Sequence, residues 1–200
     1  MSYRDARSNR LRPYLSMLMA FAVITAAGCS DGDGNNNGVV LQGCADTGDC
    51  PSNPPLMIGG ERPAMVQIPA DYDVNTRYPL VVVLHGRGAS GMIQSAYFGL
   101  VDRVDTKDFI LVMPDGIVAS DGRRIWNATP VCCATTPEEA MIDDVGYIRG
   151  LIEEAAATYS IDATRVGLIG HSNGGFMAFT MACEASEVVT SIVSLAGSTF

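Results

Sequence analysis

The stretch that decides the fold runs from Val166 to Gly175 and reads VGLIGHSNGG. Its first four residues form an apolar run that suits a strand buried on both faces of a sheet. The next residues match the pattern G-x-S-x-G with Ser172 at its centre, and an apolar segment typical of a helix begins at Phe176. Glycines on both sides of the serine let a strand and a helix cross closely while the hydroxyl is lifted clear of the sheet. The alternative is a glycine-rich turn in which the serine only caps the helix.

Four other segments have the composition of strands, so five strands are predicted in all. A long helix is predicted between the strand at 109–113 and the strand at 166–169. The strand segments are residues 65–69, a weakly alternating run that fits an edge strand, and residues 79–84, 109–113 and 192–195. The helix is predicted to begin at Thr136, with Pro137 at its first position and Glu139 completing a capping box. Its apolar stripe consists of Met141, Val145, Ile148, Ile152 and Ala155. Buried strands that alternate with helices predict an α/β fold, with a mostly parallel sheet covered by helices on both faces.

Two of the predicted strands end in residues that carry candidate chemistry. Ser172 is the candidate nucleophile, and the backbone N–H of Asn173, at the start of the helix, would face an oxyanion formed after its attack. The segment His85-Gly86-Arg87-Gly88 directly follows the strand predicted at 79–84. Its glycines would let the backbone N–H of Arg87 turn toward the same oxygen. The plain alternative is an ordinary strand-to-loop turn.

The chain contains only two histidines, so few candidates for a general base exist in it. His171 is next to Ser172 in the elbow, where a sharp turn directs neighbouring side chains apart, and this argues against His171 as the base. His85 is better placed to support the predicted oxyanion loop by hydrogen bonds, together with Gly86.

Several short motifs in a fixed order extend this pattern. They are LHGRG (84–88), MPDG (113–116), Trp126-Asn127-Ala128 with Cys132-Cys133, DDVGYI (143–148), YSIDATRV (159–166) and GHSNGGFMA (170–178). With them the chain resembles the α/β-hydrolases, specifically the secreted esterases of the polyhydroxyalkanoate depolymerase and feruloyl esterase group. The resemblance implies that Ser172 is the nucleophile and that Arg87 and Asn173 supply the oxyanion N–H groups. It implies esters of polyesters, acylated plant polysaccharides or small aryl groups as substrates, and we expect neither a cofactor nor a metal.

The chain departs from this family after Ser172. In this fold the catalytic residues follow the order Ser, Asp or Glu, His, but the chain after Ser172 contains neither Asp nor His. Its acids there, Glu184 and Glu187, lie toward the far end of the helix and are expected on the surface. The resemblance therefore implies that residues 56–200 are a partial α/β-hydrolase domain that lacks its C-terminal strands and is inactive alone.

The N-terminal residues have the three-part pattern of an export signal. Arginines precede an uncharged run from Tyr14 to Ala27, and small residues lead to Cys29. Residues 1–28 resemble a bacterial lipoprotein signal, which implies a lipid on Cys29 and an exported protein held at the cell envelope or released from it. A short membrane anchor or a buried helix is the alternative. Residues 29–55 are predicted to be a flexible Gly-, Asn- and Asp-rich tether with a small cysteine loop.

The cysteines suggest disulfides. Cys44 and Cys50 are close enough to close one loop in an oxidising compartment, and no further ligands lie nearby in the sequence to make a zinc site. With Cys29 lipidated, three cysteines remain: Cys132, Cys133 and Cys183. An odd remainder predicts a missing partner or a free thiol, and a vicinal Cys132–Cys133 disulfide stays open as an alternative.

Composition narrows the classes of function. The net charge of −9 makes a nucleic-acid partner unexpected, because phosphate binding needs a surface rich in Lys and Arg. Trp126, the single tryptophan, is either an aromatic wall for an acyl group or a packing residue. Three functional hypotheses remain: a serine carboxylic-ester hydrolase, a serine peptidase of the same fold, and a non-catalytic surface lipoprotein that binds a polymer or glycan.

Overall fold

Strands and helices alternate along most of the chain in the computed structural model of the protein, which describes residues 23–25 and 41–199. The strands are β1 (Val23–Thr25), β2 (Met57–Ile58), β3 (Ala64–Gln67), β4 (Tyr78–Leu84), β5 (Ile110–Met113), β6 (Ile117–Val118), β7 (Arg124–Ile125), β8 (Ile161–His171) and β9 (Ser191–Leu195). The helices are α1 (Cys44–Thr47), α2 (Gly91–Phe98), α3 (Val104–Lys107), α4 (Asp144–Thr158) and α5 (Asn173–Glu184), and 3₁₀ turns span Val101–Arg103 and Glu139–Met141.

The main sheet has the order β1-β9-β8-β4-β5-β3-β2. Its centre, β9-β8-β4-β5, is parallel, whereas β3, β2 and β1 add antiparallel strands at the two sides. All four parallel strands therefore end at the same edge of the sheet, which is where ligands bind in α/β folds. The prediction of a mostly parallel α/β sheet is confirmed.

The two faces of the sheet bury two separate apolar clusters. Along β4, Leu80, Val82 and Leu84 face the larger cluster, which α4 and α5 cover. Val83 points the other way, into a smaller cluster that includes Val104 of α3. This alternation is the period of two that a strand imposes, and helices cover both faces as predicted.

One strand lies deeper in the sheet than expected. The segment predicted as an edge strand, 65–69, forms β3, but β2 pairs with its outer side through Met57 and Ile58. A strand of two residues is too short to give a periodic pattern in the sequence, so β2 could not be predicted.

The long helix begins seven residues later than predicted, because the capping box at Thr136 belongs to a shorter element. Thr136 Oγ1 accepts from Glu139 N at 3.3 Å, but the turn that follows is 3₁₀ and ends at Met141. Helix α4 is capped by Asp143, whose side chain accepts from Gly146 N at 2.6 Å. Met141, assigned to the apolar stripe, is 83% exposed.

Most of the predicted N-terminal features lie outside the described residues. These are the signal 1–28 apart from β1, the lipidation site Cys29 and the polar part of the tether, 30–38. Strand β1 pairs antiparallel with β9, with Val23 opposite Val193. Within residues 23–25 and 41–199, no helix has the length and apolar character needed to cross a bilayer.

Candidate active site

Ser172 lies between β8 and α5 in a backbone conformation that few L-residues adopt, with φ 51° and ψ −117°. Such a conformation costs on the order of 1–3 kcal/mol and persists where the surroundings enforce it. Two flanking positions must be glycine for these surroundings to exist. A Cβ at Gly170 would overlap the carbonyl of Gly174, and one at Gly174 would overlap the carbonyl of Leu84 on β4. The predicted strand, sharp turn and helix are all present.

Several backbone groups around Ser172 are hydrogen-bonded, but within the described residues the N–H of the next residue, Asn173, is not. Ser172 N donates to Leu195 O at 2.7 Å, and Ser172 O accepts from Gly175 N and Phe176 N at 2.8 and 3.0 Å. Asn173 N–H, in the first turn of α5, has no acceptor among the described residues. The start of a helix leaves such N–H groups free and favours negative charge near them.

The loop after β4 shows the same arrangement. Gly86 N donates to Gln94 Oε1 at 3.1 Å, and Gly88 N donates to Arg124 O at 2.8 Å. Ala89 N completes a turn by donating to Gly86 O at 3.0 Å. Arg87 N–H, between the paired amides of Gly86 and Gly88, has no acceptor in the described part of the chain.

The loop and the elbow are in direct contact. A Cβ built on Gly86 would lie 3.1 Å from His171 Nδ1 and 3.6 Å from Ser172 Cβ. The structure thus brings together the two segments that the sequence placed at strand ends. Gly86 and Arg87 follow β4, and Ser172 and Asn173 follow β8.

His85 is fully buried, and both of its ring nitrogens are engaged by the backbone. Nε2 accepts from Gly116 N at 2.8 Å, so the proton of the neutral ring is on Nδ1, which donates to Gly86 O at 2.8 Å. Burial lowers the pKa of His85, and the neutral form is favoured. Because a trans peptide points its C=O and N–H in opposite directions, holding Gly86 O also orients Arg87 N–H.

Neither histidine is hydrogen-bonded to the Ser172 hydroxyl among the described residues. His171 is partly exposed, and its ring lies 6.0 Å from that of Tyr97. Of the two acids after Ser172, Glu187 pairs with Arg149 on the surface at 2.8 Å. The described residues therefore contain a candidate nucleophile and candidate oxyanion donors, without a base joined to them.

Trp126 is a packing residue and has no exposed surface with which to contact an acyl group. Its indole Nε1 donates to His85 O at 3.0 Å, and its ring centroid lies 5.0 Å from that of His85. The side chain of Asn173, also fully buried, forms two hydrogen bonds with the Trp126 backbone. Asn173 Oδ1 accepts from Trp126 N at 2.7 Å, and Asn173 Nδ2 donates to Trp126 O at 2.9 Å.

A buried ion pair fixes the segment that carries Trp126. Asp144 has a fully buried side chain and pairs with Arg62 Nη1 at 2.8 Å. Its other oxygen accepts from Asn127 N at 2.7 Å. The Arg62 guanidinium lies 3.7 Å from the ring centroid of Tyr147, which adds a cation–π contact. No pattern in the sequence predicted the pair between Arg62 and Asp144.

The cysteines form more disulfides than the sequence predicted. Cys44 and Cys50 are joined, in agreement with their spacing, and so are Cys132 and Cys133, the alternative left open. Cys183 is also disulfide-bonded, so the expectation that it lacks a partner or is a free thiol is wrong.

The family can be assigned with this geometry in view. The model of the Esterase family matches residues 56–199. The chain belongs to the Esterase family. The predicted resemblance to α/β-hydrolase esterases related to feruloyl esterases is confirmed, since curated relatives of this Esterase chain carry that name.

"Probable feruloyl esterase C" of Aspergillus niger is 28% identical over 163 residues, which are 76% of this chain and 54% of the relative. "Feruloyl esterase D" of Neurospora crassa is 26% identical over 205 residues, 94% of this chain and 61% of the relative. The crystal structure of the Bacillus cereus carboxylesterase aligns with 65% of this chain and 57% of its own, at 21% identity and a TM-score of 0.49. The chain thus spans little more than half the length of these relatives.

Gln94 is a further residue of the site that the sequence did not reveal. It is 4% exposed and lies on α2, eight residues after the amide that it accepts from. A glutamine in a helix is usually on the surface, and nothing in the sequence separates this one from a solvated residue.

Proposed function

We propose that the protein carrying this chain is a serine carboxylic-ester hydrolase that works through an acyl-enzyme on Ser172. The observation that carries the proposal is the pair of unoccupied amides, Arg87 N–H and Asn173 N–H, on the two segments that meet at Ser172. The amides on either side of Arg87, those of Gly86 and Gly88, both have acceptors, whereas Arg87 N–H and Asn173 N–H are left at positions where an oxyanion would need donors.

The reaction follows from this arrangement. Ser172 Oγ attacks the ester carbonyl carbon and its proton passes to a general base, while the carbonyl oxygen becomes an oxyanion that accepts from Arg87 N and Asn173 N. Collapse of the tetrahedral intermediate breaks the bond to the alcohol, which leaves with the proton. Water then attacks the acyl-serine, and the acid is released as the hydroxyl re-forms.

The base is proposed to lie in sequence that follows this chain. Both nitrogens of His85 are occupied by the backbone, and in this fold the acid and the histidine come after the serine. The gene is therefore expected to encode an Asp or Glu and then a His beyond codon 200. A stop codon there would instead favour a non-catalytic surface protein that binds a polymer or glycan.

Labelling of the nucleophile tests the activity. The protein expressed from its complete gene is expected to react with a fluorophosphonate probe at Ser172, and Ser172→Ala should abolish the label while leaving the circular dichroism spectrum unchanged. A folded wild-type protein that takes up no label would contradict the proposal. Hydrolysis of 4-nitrophenyl acetate, compared with a peptide anilide, separates an esterase from a peptidase.

Polymer-borne and aryl esters, such as feruloyl or acetyl groups on polysaccharides, are the proposed substrates, in line with the names of the curated relatives. We also propose that the protein is exported. The arginine-flanked apolar segment and the disulfides support an oxidising destination. Fractionation of the expressing bacterium, in which the protein is expected outside the cytoplasm, tests the export.

A further inference from the structure

We infer that Trp126 is a positioning residue that fixes the two oxyanion donors relative to each other; the inference rests on the proposed function. The donors, Arg87 N–H and Asn173 N–H, come from segments far apart in the chain. Pairing of β4 with β8 ends at Leu84 and Gly170, before either donor is reached. Beyond that point, Trp126 is hydrogen-bonded to both segments.

On the loop side, the indole holds a peptide plane. Trp126 Nε1 donates to His85 O, the carbonyl of the His85–Gly86 peptide. The N–H of that same peptide, on Gly86, donates to Gln94 Oε1. The plane is thus held at both ends, and the next plane along the chain is the one that carries Arg87 N–H.

On the elbow side, the Trp126 backbone is bound by the side chain of the donor residue itself. Asn173 Oδ1 and Nδ2 form a two-point contact with Trp126 N and O, at 2.7 and 2.9 Å. This contact limits rotation of the first residue of α5 about the sheet edge. It leaves Asn173 N–H free to face an oxyanion.

The link is rigid because Trp126 is immobilised on several sides. The ring packs between His85 and Tyr147, with centroid distances of 5.0 and 6.5 Å. The next residue, Asn127, donates its N–H to the buried carboxylate of Asp144. A displacement of either donor by about 1 Å costs up to about 100-fold in rate, so a rigid link of this kind has a kinetic consequence.

The test compares two buried aromatic donors in the protein expressed from its complete gene. Trp126→Phe removes the bond to His85 O and keeps an aromatic ring. Tyr159→Phe is the control: Tyr159 is also fully buried, and its hydroxyl donates to a backbone carbonyl outside the donor segments, Pro55 O, at 2.6 Å. For 4-nitrophenyl acetate, Trp126→Phe is expected to lower kcat about 10- to 100-fold with KM changed less than about threefold. Tyr159→Phe is expected to leave kcat within about twofold.

Binding of phenylboronic acid provides a second readout, because its tetrahedral adduct with serine presents an oxygen to the oxyanion hole. Its affinity should fall with kcat in Trp126→Phe and stay constant in Tyr159→Phe. Equal kcat and boronate affinity in the two variants, or a rise in KM alone, would overturn the inference.

Asn173→Ala, which keeps the backbone N–H but removes the contact with Trp126, decides the matter if Trp126→Phe does not fold. It is expected to lower kcat at least about 10-fold, and unchanged kcat would overturn the inference. A wild-type protein that neither hydrolyses the ester nor binds the fluorophosphonate would instead reject the proposed function. The two failures are therefore distinguishable.

Discussion

Removal of the Asp144 carboxylate is expected to destabilise the fold strongly, because this buried group serves two donors. The side chain has no exposed area, and it serves two donors, Arg62 Nη1 at 2.8 Å and Asn127 N at 2.7 Å. In Asp144→Ala the partly buried Asn127 N–H loses its acceptor, which costs up to about 1–3 kcal/mol. Breaking a buried ion pair by removing one partner costs about 3–5 kcal/mol in all.

The lower end of that range applies here, because the Arg62 side chain is 28% exposed and its guanidinium can regain some water. We expect Asp144→Ala to lower the free energy of unfolding by about 3 kcal/mol, which corresponds to about 6–12 °C in Tm for a domain of this size. Asp144→Asn keeps an oxygen for Asn127 N and should lose less. Urea unfolding followed by far-UV circular dichroism, with an unchanged m-value, measures the difference.

The neighbouring residue provides the control. Asp143 caps α4 through a bond to Gly146 N, and its removal is expected to cost about 1 kcal/mol. If Asp144→Ala were no more destabilising than Asp143→Ala, the buried pair would have no special role and the argument for a rigid Trp126 segment would lose its support.

Two further outcomes follow from single contacts. Gln94→Leu removes the acceptor of Gly86 N–H and should lower kcat for 4-nitrophenyl acetate about 10-fold. Gln94→Glu keeps an acceptor oxygen and should retain most of the rate. Equal rates in the two variants would contradict a positioning role for Gln94. The backbone N–H groups of Ser120 and Thr135 lower the pKa of Glu139 to about 2. The ionised carboxylate therefore stabilises the fold fully at pH values above the unfolded-state pKa of about 4.3. This stabilisation is lost as the pH falls toward 2. The stability difference between wild type and Glu139→Gln, from urea midpoints, should therefore be largest above pH 5 and shrink toward pH 2; a constant difference would refute the assignment.

The sequence predicted the elements whose residues bear a strong local pattern. The run ending at Leu84 and the stretch around Ser172 gave both the strands and the turn, because a buried parallel strand is apolar at nearly every position and the elbow requires glycine. The start of α4 was misplaced for an equally local reason. Thr136 and Glu139 do form a capping box, but the chain breaks after one 3₁₀ turn and restarts at Asp143.

Several contacts that organise the site join residues far apart in the chain, and no local sequence pattern predicts them. The bonds between Asn173 and Trp126 and between Arg62 and Asp144 join residues 47 and 82 positions apart. Each depends on the sheet order, which brings β4, β8 and the segment after β7 together. Trp126 illustrates the limit: composition marked it as notable, and its burial could be learned only from the packing.

The backbone conformation of Ser172 has a consequence for which residue evolution retains at this position. At φ 51° and ψ −117° a glycine would fit with less strain than any side-chain-bearing residue, so stability alone favours Ser172→Gly. The chain nevertheless has serine there, at a cost that no contact of its hydroxyl with the described residues offsets. This position is thus a point of trade-off, where a more stable protein and a reactive one require different residues.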